Sequence, residues 1–367
     1  MAKRKITVDE IKDAAEYVEK ESVVLERSDY LSTGSTMLNL ALTNKWNCGF
    51  LPSHYYHLVG SSSSGKTFLS GTCFAESTLN EKYKNYKLIY CNSEDGCLMD
   101  MSALFGAKTA ARIKAPAYDE DGNPVFATTV ESFYYSLSDA MSDGTPCVFV
   151  LDSIDALTSD ADDSKFEEAK DAFKKGKEAK GSYGMVRAKQ NSEKLRKVMA
   201  DLTRTGSILI IISQTRDNVG AMGYGPQSTF AGGKSLLFYA TCQIWSKPVG
   251  NIKKTVDGND LIIGKKIELA VKKNRITGYE HTVNTSIYPS YGIADLPSVI
   301  DYLLESNHWK KEGRSVVAPE FDFKGLEDTL IAKLESENRE DELRMIAETV
   351  WNSLLDRATP KWKKRYE

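Results

Sequence analysis

The chain has 367 residues, of which 41% are apolar and 27% are charged, and its formal net charge is −3. These proportions exclude a disordered, collagen-like or coiled-coil chain, and the length predicts either one large domain with appendages or two smaller domains. Because no run of 18 apolar residues occurs and the first residues form no hydrophobic signal core, we expect neither a membrane-spanning helix nor a secretory signal, and a cytoplasmic location.

The six cysteines show no paired spacing of the kind that binds zinc. Several of them lie in apolar runs, where a small thiol packs as a hydrophobic side chain. We therefore expect neither disulfide bonds nor a structural zinc site.

The first predicted element is a helix over residues 7–20, with Thr7 and Glu10 in the spacing of a capping box. Farther along the chain, short apolar runs rich in Val, Ile and Tyr recur at residues 55–59, 88–91, 147–151 and 208–212. Each run is followed by polar or glycine-rich residues, and helix-like segments such as residues 192–202 lie between them. This alternation predicts a parallel β-sheet flanked by helices.

The later apolar runs are separated by short polar turns, which predicts that the sheet continues through hairpins at residues 243–245, 267–271 and 283–288. After these runs the pattern becomes helical and charged. The sequence therefore predicts three parts: an N-terminal helix within residues 1–30, an α/β core over residues 31–300, and a small helical C-terminal domain with a basic tail over residues 301–367.

The strongest motif has the pattern GxxxxGK[ST] and lies between a predicted strand and a predicted helix. Backbone N–H groups of such a loop surround a polyphosphate at the positive end of the following helix. A loop that is merely rich in Ser and Gly is the alternative, and the strand before it and the helix after it argue against that alternative. The predicted nucleotide-binding residues are Gly60, Ser61, Ser62, Ser63, Ser64, Gly65, Lys66 and Thr67, with Lys66 on the β- and γ-phosphates and Thr67 on Mg²⁺.

Carboxylates follow two of the other predicted strands. Asp152 ends the run of residues 147–151 and is the second predicted metal ligand, although an Asp there also suits a helix N-cap. Glu94 follows the run of residues 88–91 and is the candidate that orients or deprotonates the attacking water. Asp95 beside it is the alternative, and either side chain also suits a solvated turn.

The order of these motifs resembles the RecA-type recombinases, including the phage UvsX-like members. The resemblance covers residues 31–275, from LSTGS at residues 31–35 through the phosphate loop to VKKNR at residues 271–275. It implies a RecA-like P-loop ATPase core with a mostly parallel central sheet. Its most specific part is GGKSLLFYA at residues 232–240, since the DNA-binding loop of RecA proteins ends in Gly-Gly-x-x-Leu-x-Phe-Tyr-Ala.

Gln214 follows the run of residues 208–212, and its uncharged amide can hydrogen-bond a γ-phosphate or an attacking water without repelling either. The next residues, 218–233, contain five glycines and one proline, a composition typical of a loop that orders on a polyanion. Together with the resemblance, this predicts single-stranded DNA binding at Asn218, Gly220, Met222, Tyr224, Phe230, Gly232 and Gly233. An ordinary flexible surface loop is the alternative.

The resemblance implies a second DNA-binding loop, in which the family's Met and Arg carry over to Met185 and Arg187. The surrounding residues 165–197 contain eleven basic and five acidic side chains, a difference of +6. For the lysines of residues 165–180, contact with DNA and a solvated helix with offsetting acids remain equal alternatives.

Lys273 and Arg275 match family positions that reach the γ-phosphate bound by a neighbouring subunit. The resemblance therefore implies a catalytic site shared between subunits and a head-to-tail contact that generates a helical filament. It also assigns residues 1–30 to an arm that packs on the adjacent subunit.

Three features depart from the family pattern. Asn92 stands where bacterial RecA has Asp, and the residues after Glu94 do not reproduce its adenine-contacting pattern, so no adenine contacts are predicted. The tail with Lys361, Lys363, Lys364 and Arg365 is basic where the bacterial tail is acidic, which indicates weaker autoinhibition or a different partner.

The resemblance implies a DNA-dependent ATPase that uses ATP and Mg²⁺, forms filaments on single-stranded DNA, and pairs and exchanges strands with duplex DNA. It implies mediator and single-strand-binding proteins as partners, and a place near the nucleoid of a bacterial or phage-infected cell. The alternatives are a helicase core or regulatory paralogue without strand exchange, and a P-loop switch or kinase that does not bind DNA.

Overall fold

The computed structural model describes residues 26–94, 99–118, 120–121, 124–174, 185–217, 228–230, 232–363 and 365. The helix predicted over residues 7–20 and the alternative catalytic carboxylate Asp95 lie outside these ranges. Elements are numbered along the described chain.

Fourteen strands occur in the described residues. They are β1 (Tyr55–Gly60), β2 (Lys87–Asn92), β3 (Ala117–Tyr118), β4 (Pro124–Val125), β5 (Cys147–Asp152), β6 (Ile208–Asp217), β7 (Ser228–Phe230), β8 (Cys242–Val256), β9 (Asn259–Asn274), β10 (Thr282–Tyr288), β11 (Gly292–Ala294), β12 (Lys310–Glu312), β13 (Ser315–Ala318) and β14 (Phe323–Gly325).

Eleven α-helices occur in the same residues. They are α1 (Thr36–Thr43), α2 (Lys66–Leu79), α3 (Met101–Phe105), α4 (Ala107–Arg112), α5 (Val130–Ala140), α6 (Asp160–Lys174), α7 (Met185–Thr205), α8 (Lys234–Tyr239), α9 (Asp295–Glu305), α10 (Glu327–Glu337) and α11 (Glu340–Ala358).

The central sheet has the order β11-β10-β9-β8-β1-β6-β5-β2, with β7 paired to β6. Strands β8, β1, β6, β5 and β2 are parallel, whereas β9, β10 and β11 follow by antiparallel pairing. Both the predicted parallel sheet and its continuation through hairpins are therefore confirmed. Crossover helices such as α2 and α7 return the chain from the end of one parallel strand to the start of the next.

The sheet is buried on both faces, because alternate side chains of a strand point to opposite sides. On β1, Tyr56 and Leu58 join the larger apolar cluster, whereas Tyr55 joins a second cluster with Leu195 and Leu202 of α7. This double burial explains why the central strands are continuous apolar runs.

The C-terminal part contains a small antiparallel sheet, β12-β13-β14, ahead of helices α10 and α11. The sequence predicted only helices there, because strands of three or four residues leave no alternating pattern. Leu330, Leu343 and Trp351 belong to the same apolar cluster as Leu58 of the main sheet. The Trp351 indole N–H also donates to Asn44 Oδ1 at 3.0 Å, so α11 packs directly on the end of α1. The domain boundary at residue 301 stays a prediction.

The five cysteines within the described ranges are buried and unpaired. These ranges hold no group of three or more His, Cys, Asp or Glu side chains suited to a metal ion. They also contain no helix of the length and apolar character that crossing a bilayer requires.

Candidate nucleotide-binding site

The phosphate loop joins the central strand β1 to helix α2. Gly65 has φ +85°, a left-handed conformation, and a Cβ there would come within 2.3 Å of Ile287 Cδ1. A side chain at this position would therefore be strained by the backbone conformation and would require Ile287 to shift. The Lys66 ammonium donates to the carbonyl oxygens of Gly60, at 2.9 Å, and Ser61, at 2.7 Å. Burial lowers the pKa of Lys66, and a bound anion would restore the stability of its charged form.

The predicted metal ligands lie together at the carboxyl edge of the sheet. Thr67 Oγ1 donates to Asp152 Oδ2 at 2.7 Å, and the Tyr90 hydroxyl donates to the same oxygen at 2.8 Å. Burial raises the pKa of Asp152, while these two hydrogen bonds act in the opposite direction. A hydroxyl and a carboxylate are the hard oxygen ligands that Mg²⁺ prefers, so this donor set fits the ion. Sequence reasoning did not single out Tyr90.

Glu94 and Gln214 are also in contact. Glu94 Oε1 accepts hydrogen bonds from Gln214 Nε2, at 2.8 Å, and from the Ser153 hydroxyl. The backbone N–H of Gln214 donates to Asp155 Oδ2 at 2.7 Å, which fixes the strand at this point. Asp155 was also missed, because nothing in its own sequence neighbourhood indicates that its carboxylate reaches β6.

A cavity of about 260 Å³ connects these groups and is lined by Lys66, Thr67, Asn92, Glu94 and Asp152, among others. It joins the phosphate loop, the metal ligands and the candidate base in one continuous space. The arrangement can hold a polyphosphate with a metal ion and can present a carboxylate to a water beyond the last phosphate.

A second cavity, of about 330 Å³, adjoins the same loop and is mostly apolar. Its lining includes Phe68, Ile262, Ile287 and Pro289, which come from α2, β9, β10 and the turn after β10. These residues are far apart in sequence and share no motif, so sequence reasoning found none of them.

Lys273 and Arg275 do not join this site within the chain. Strand β1 pairs Gly60 with Ser246 of β8, whereas Lys273 pairs with Gln243 and Arg275 N–H donates to Thr241 O. At about 3.3 Å per residue, Arg275 lies about 17 Å along the strands from the phosphate loop.

Both cationic side chains bond the end of α8 instead. Lys273 Nζ donates to Leu237 O at 2.6 Å, and an Arg275 guanidinium N–H donates to Phe238 O at 2.9 Å. Burial, with the nearby Arg275 charge, lowers the pKa of Lys273 to about 8. No carboxylate of the described ranges forms a salt bridge with either cation, so the pair can accept an anion from outside the chain.

The predicted DNA-binding residues are only partly described. Asn218, Gly220, Met222 and Tyr224 lie outside the described ranges. The backbones of Met185 and Arg187 lie in the first turn of α7.

Phe230 lies on β7, and its ring packs on His57 and Trp245, at centroid distances of 4.8 and 6.3 Å. Gly232 and Gly233 have positive φ, and Gly232 O accepts a hydrogen bond from Asn191 Nδ2 at 2.9 Å. The end of the predicted loop is thus fixed to the core.

The described part of the lysine-rich segment is helix α6. There Lys170 pairs with Glu167 at 3.1 Å and Lys174 with Asp171 at 3.7 Å. Such exposed pairs, one turn apart, favour the solvated helix with offsetting acids for residues 165–174. Residues 175–184 lie outside the described ranges.

Comparison with known proteins gives evidence that is independent of the geometry of the site. A model of the RecA N-terminal domain matches residues 137–294. The RecA protein of Chlamydia trachomatis serovar L2 is 28% identical over 289 residues, which are 77% of this chain and 71% of that protein. The RecA protein of Helicobacter hepaticus is 28% identical over 295 residues, 79% of this chain and 74% of that protein. The chain is thus similar to RecA proteins over more than three quarters of its length, and its mostly parallel sheet agrees with that similarity.

Proposed function

We propose that this protein is an ATP-dependent DNA recombinase. It assembles into a helical filament on single-stranded DNA, pairs that strand with homologous duplex DNA and exchanges the strands, and ATP hydrolysis releases the product. It acts in the cytoplasm of a bacterial or phage-infected cell, near the nucleoid, with mediator and single-strand-binding proteins as partners.

The observation that carries this proposal is the position of Gln214. Its side chain bonds Glu94 at the edge of the phosphate cavity, and its backbone continues through Asp217 to the start of the glycine-rich segment. The strand returns as β7, with Phe230 paired to Thr215. Gln214 is therefore the residue immediately before the ladder that holds both ends of the segment proposed to bind DNA.

Each group of the site has a proposed role. The loop of residues 60–67 and Lys66 hold the phosphates of ATP, and Thr67 and Asp152 hold Mg²⁺. When bound, Mg²⁺ neutralises charge on the phosphate oxygens. Glu94 orients the attacking water and accepts its proton, and the Gln214 amide exchanges its bond to Glu94 for one to the γ-phosphate.

The apolar cavity beside the loop suits the base of the nucleotide. Phe68 supplies an aromatic ring there, and Ile262, Ile287 and Pro289 supply an apolar lining. A flat base that enters this cavity leaves its ribose and phosphates directed at the loop.

Lys273 and Arg275 complete the site of a neighbouring subunit in this proposal. Along the strands, Lys273 lies about 10 Å and Arg275 about 17 Å from their own phosphate loop, beside the exposed ring of Phe238. A head-to-tail contact that brings this edge of one subunit to the phosphate edge of the next generates a filament when its rotation does not close into a ring, and a filament is the arrangement proposed here. Residues 1–30 are the proposed arm on the adjacent subunit, residues 31–300 the ATPase core, and residues 301–367 the C-terminal domain.

DNA contacts are assigned to the two loops. The proposed contacts are made by Met185, Arg187, Asn218, Gly220, Met222, Tyr224, Gly232 and Gly233, and by Phe230 only if its ring leaves the core. Affinity then depends on phosphate contacts and stacking, so we expect no sequence preference.

The test is a strand-exchange assay with ATP, run beside negative-stain microscopy of the same sample. We expect joint molecules and helical filaments with the wild-type protein and neither with Lys66→Ala, which loses its main phosphate contact. Closed rings that unwind duplex DNA without exchange would overturn the recombinase proposal in favour of a helicase core. ATP hydrolysis that does not respond to DNA would favour a P-loop switch.

A further inference from the structure

A chain of buried hydrogen bonds crosses the three central strands directly beneath the phosphate site. His57 of β1 is fully buried, and its Nε2 lies 2.8 Å from Ser213 Oγ of β6. Its Nδ1 lies 3.0 Å from Gln243 Nε2 of β8. Gln243 Oε1 in turn accepts from the Trp245 indole N–H at 2.9 Å. These four side chains are called the buried chain below.

The chemistry of Trp245 fixes the direction of every bond in the buried chain. An indole N–H only donates, so Gln243 must present its oxygen to Trp245 and its NH₂ to His57. His57 Nδ1 is then an acceptor, and Nε2 carries the proton that Ser213 Oγ accepts. Burial lowers the pKa of His57 to about 3, which keeps the ring neutral and this tautomer intact near neutral pH.

One end of the buried chain touches the nucleotide sensor and the predicted DNA loop. Ser213 is the residue before Gln214, so the His57 bond holds the strand next to the amide that contacts Glu94. Phe230, at the end of the glycine-rich segment, packs edge-on against the His57 ring at a centroid distance of 4.8 Å. His57 therefore contacts both sides of the β6–β7 hairpin.

The other end of the buried chain lies beside β9, the strand that carries Lys273. Gln243 lies opposite Lys273 in the β8–β9 pairing, and a register shift follows immediately. The extra residue at that shift is Lys272, whose ammonium lies 3.8 Å from the centroid of the Trp245 ring. Trp245 and Gln243 are thus fixed from β9 as well as from β1.

We infer that His57 is a positioning residue that couples the nucleotide at Gln214 to the grip of the β6–β7 hairpin on DNA. The inference rests on the proposed function and names the element that transmits it. A shift of Gln214 toward a γ-phosphate moves Ser213, and Ser213 cannot move without the His57 ring, against which Phe230 is packed. Because both ring nitrogens are committed to bonds of fixed direction, the ring has no second orientation that satisfies them.

The experiment measures the affinity of the full-length protein for a fluorescent single-stranded oligonucleotide, with ATP and with ADP. We expect the wild type to bind about tenfold more tightly with ATP. His57→Phe keeps a ring of similar size for Phe230 but loses both hydrogen bonds. We expect the ratio of its DNA affinity with ATP to that with ADP to fall below about threefold. Affinity for a fluorescent ATP analogue should stay within about twofold of wild type, because His57 does not touch the phosphate cavity.

Two matched variants separate coupling from simple damage to the core. Tyr55→Phe lies two residues away on the same face of β1, and the Tyr55 hydroxyl is buried without a hydrogen-bond partner. This variant should keep the full ratio. His57→Gln, whose amide can still donate to Ser213, should recover most of the ratio lost in His57→Phe.

Every outcome decides the inference. A wild-type ratio near one removes the proposed function and this inference together. A normal wild-type ratio with an equal ratio for His57→Phe overturns the inference alone, as does an equal loss in Tyr55→Phe. If thermal melting shows that His57→Phe is unfolded, Ser213→Ala decides instead: loss of the ratio supports the inference and a full ratio overturns it.

Discussion

Gln214 is the residue at which binding of ATP and binding of DNA are proposed to meet. Gln214→Ala removes the amide but leaves the phosphate loop, Thr67 and Asp152 unchanged. We therefore expect ATP affinity within about threefold of wild type and a loss of at least about tenfold in DNA-stimulated hydrolysis. Asn284→Ala, which removes an exposed amide from β10, is the matched control and should behave as wild type.

Steady-state hydrolysis with and without single-stranded DNA measures this effect. A Gln214→Ala protein that is stimulated by DNA as strongly as the control would remove Gln214 from the mechanism. A large fall in ATP affinity would instead assign Gln214 to ground-state binding.

His57 also gives a pH dependence of stability. Its pKa is about 3 in the folded protein, below the ordinary value of 6.5, so the unfolded chain binds more protons between these values. The contribution of the neutral His57 ring to the free energy of unfolding is therefore fully present above pH 6.5 and is lost as the pH falls below that value. From pH 7.5 to 5.0 this group should remove about 2 kcal/mol from the free energy of unfolding.

Urea unfolding of the wild type and of His57→Phe at both pH values isolates this contribution. The variant should lose less stability than the wild type on acidification, since the other titrating groups are common to both proteins. Parallel pH profiles for the two proteins would show that His57 is not the group responsible.

At the residue level, features formed by residues close together in the sequence could be predicted, whereas contacts between distant residues could not. The strand, loop and helix that contain Gly60, Lys66 and Thr67 could be predicted because they form one continuous segment, and nucleotide binding there stays a prediction. Tyr90 and Asp155 could not be predicted, because each acquires its role from a partner more than 55 residues away. Phe230 was predicted to contact DNA, a prediction that stays untested, and its ring packs inward because His57 and Trp245 approach it from other strands.

At the level of elements, helix α11 is held by one large buried side chain. Trp351 is 8% exposed and packs against His281 and Tyr302, whereas Trp362 beyond the helix is 85% exposed. Trp351→Ala should destabilise the protein by about 3 kcal/mol, because it leaves a cavity in the shared core and an unpaired Asn44. Trp362→Ala should change stability by less than about 0.5 kcal/mol.

Chemical denaturation followed by circular dichroism compares the two variants. Equal stabilities would mean that α11 contributes nothing to the core of the main sheet. A separate early transition in Trp351→Ala alone would show that the C-terminal helices unfold independently.

The elements that could be predicted are those long enough to show a recognisable pattern of apolar residues. Four of the five parallel strands were predicted from their apolar runs, because both faces of the sheet are covered. The fifth, β8, was predicted as part of the hairpin continuation, but it pairs parallel to β1 as well as antiparallel to β9. Strands β12 to β14 could not be predicted, since each is only three or four residues long and pairs only with the others.

At the level of the whole molecule, the phosphate loop and the Lys273–Arg275 pair are proposed to face different neighbouring subunits. Arg275→Ala protomers keep an intact phosphate loop, and Lys66→Ala protomers keep an intact Arg275. A junction between the two types can therefore contain one complete site. In an equal mixture, about a quarter of the junctions have this composition, so hydrolysis should recover to about a quarter of the wild-type rate.

Hydrolysis measured across mixing ratios tests the shared site. The recovery should peak at equal amounts and disappear for either variant alone. A strictly additive response at every ratio, in mixtures that microscopy shows to be co-assembled, would contradict sharing between subunits.

In the proposed filament each catalytic site is divided between two subunits, because the phosphate loop and the Lys273–Arg275 pair lie at opposite edges of one sheet, and this sets a counting rule for the filament. A row of protomers has one fewer interface than it has members, so one terminal protomer always holds a nucleotide that it cannot turn over. Turnover per molecule then rises with polymer length toward a plateau, and the terminal protomer keeps its triphosphate longest. Growth and disassembly would accordingly have different rates at the two ends, so the filament would be kinetically as well as structurally polar.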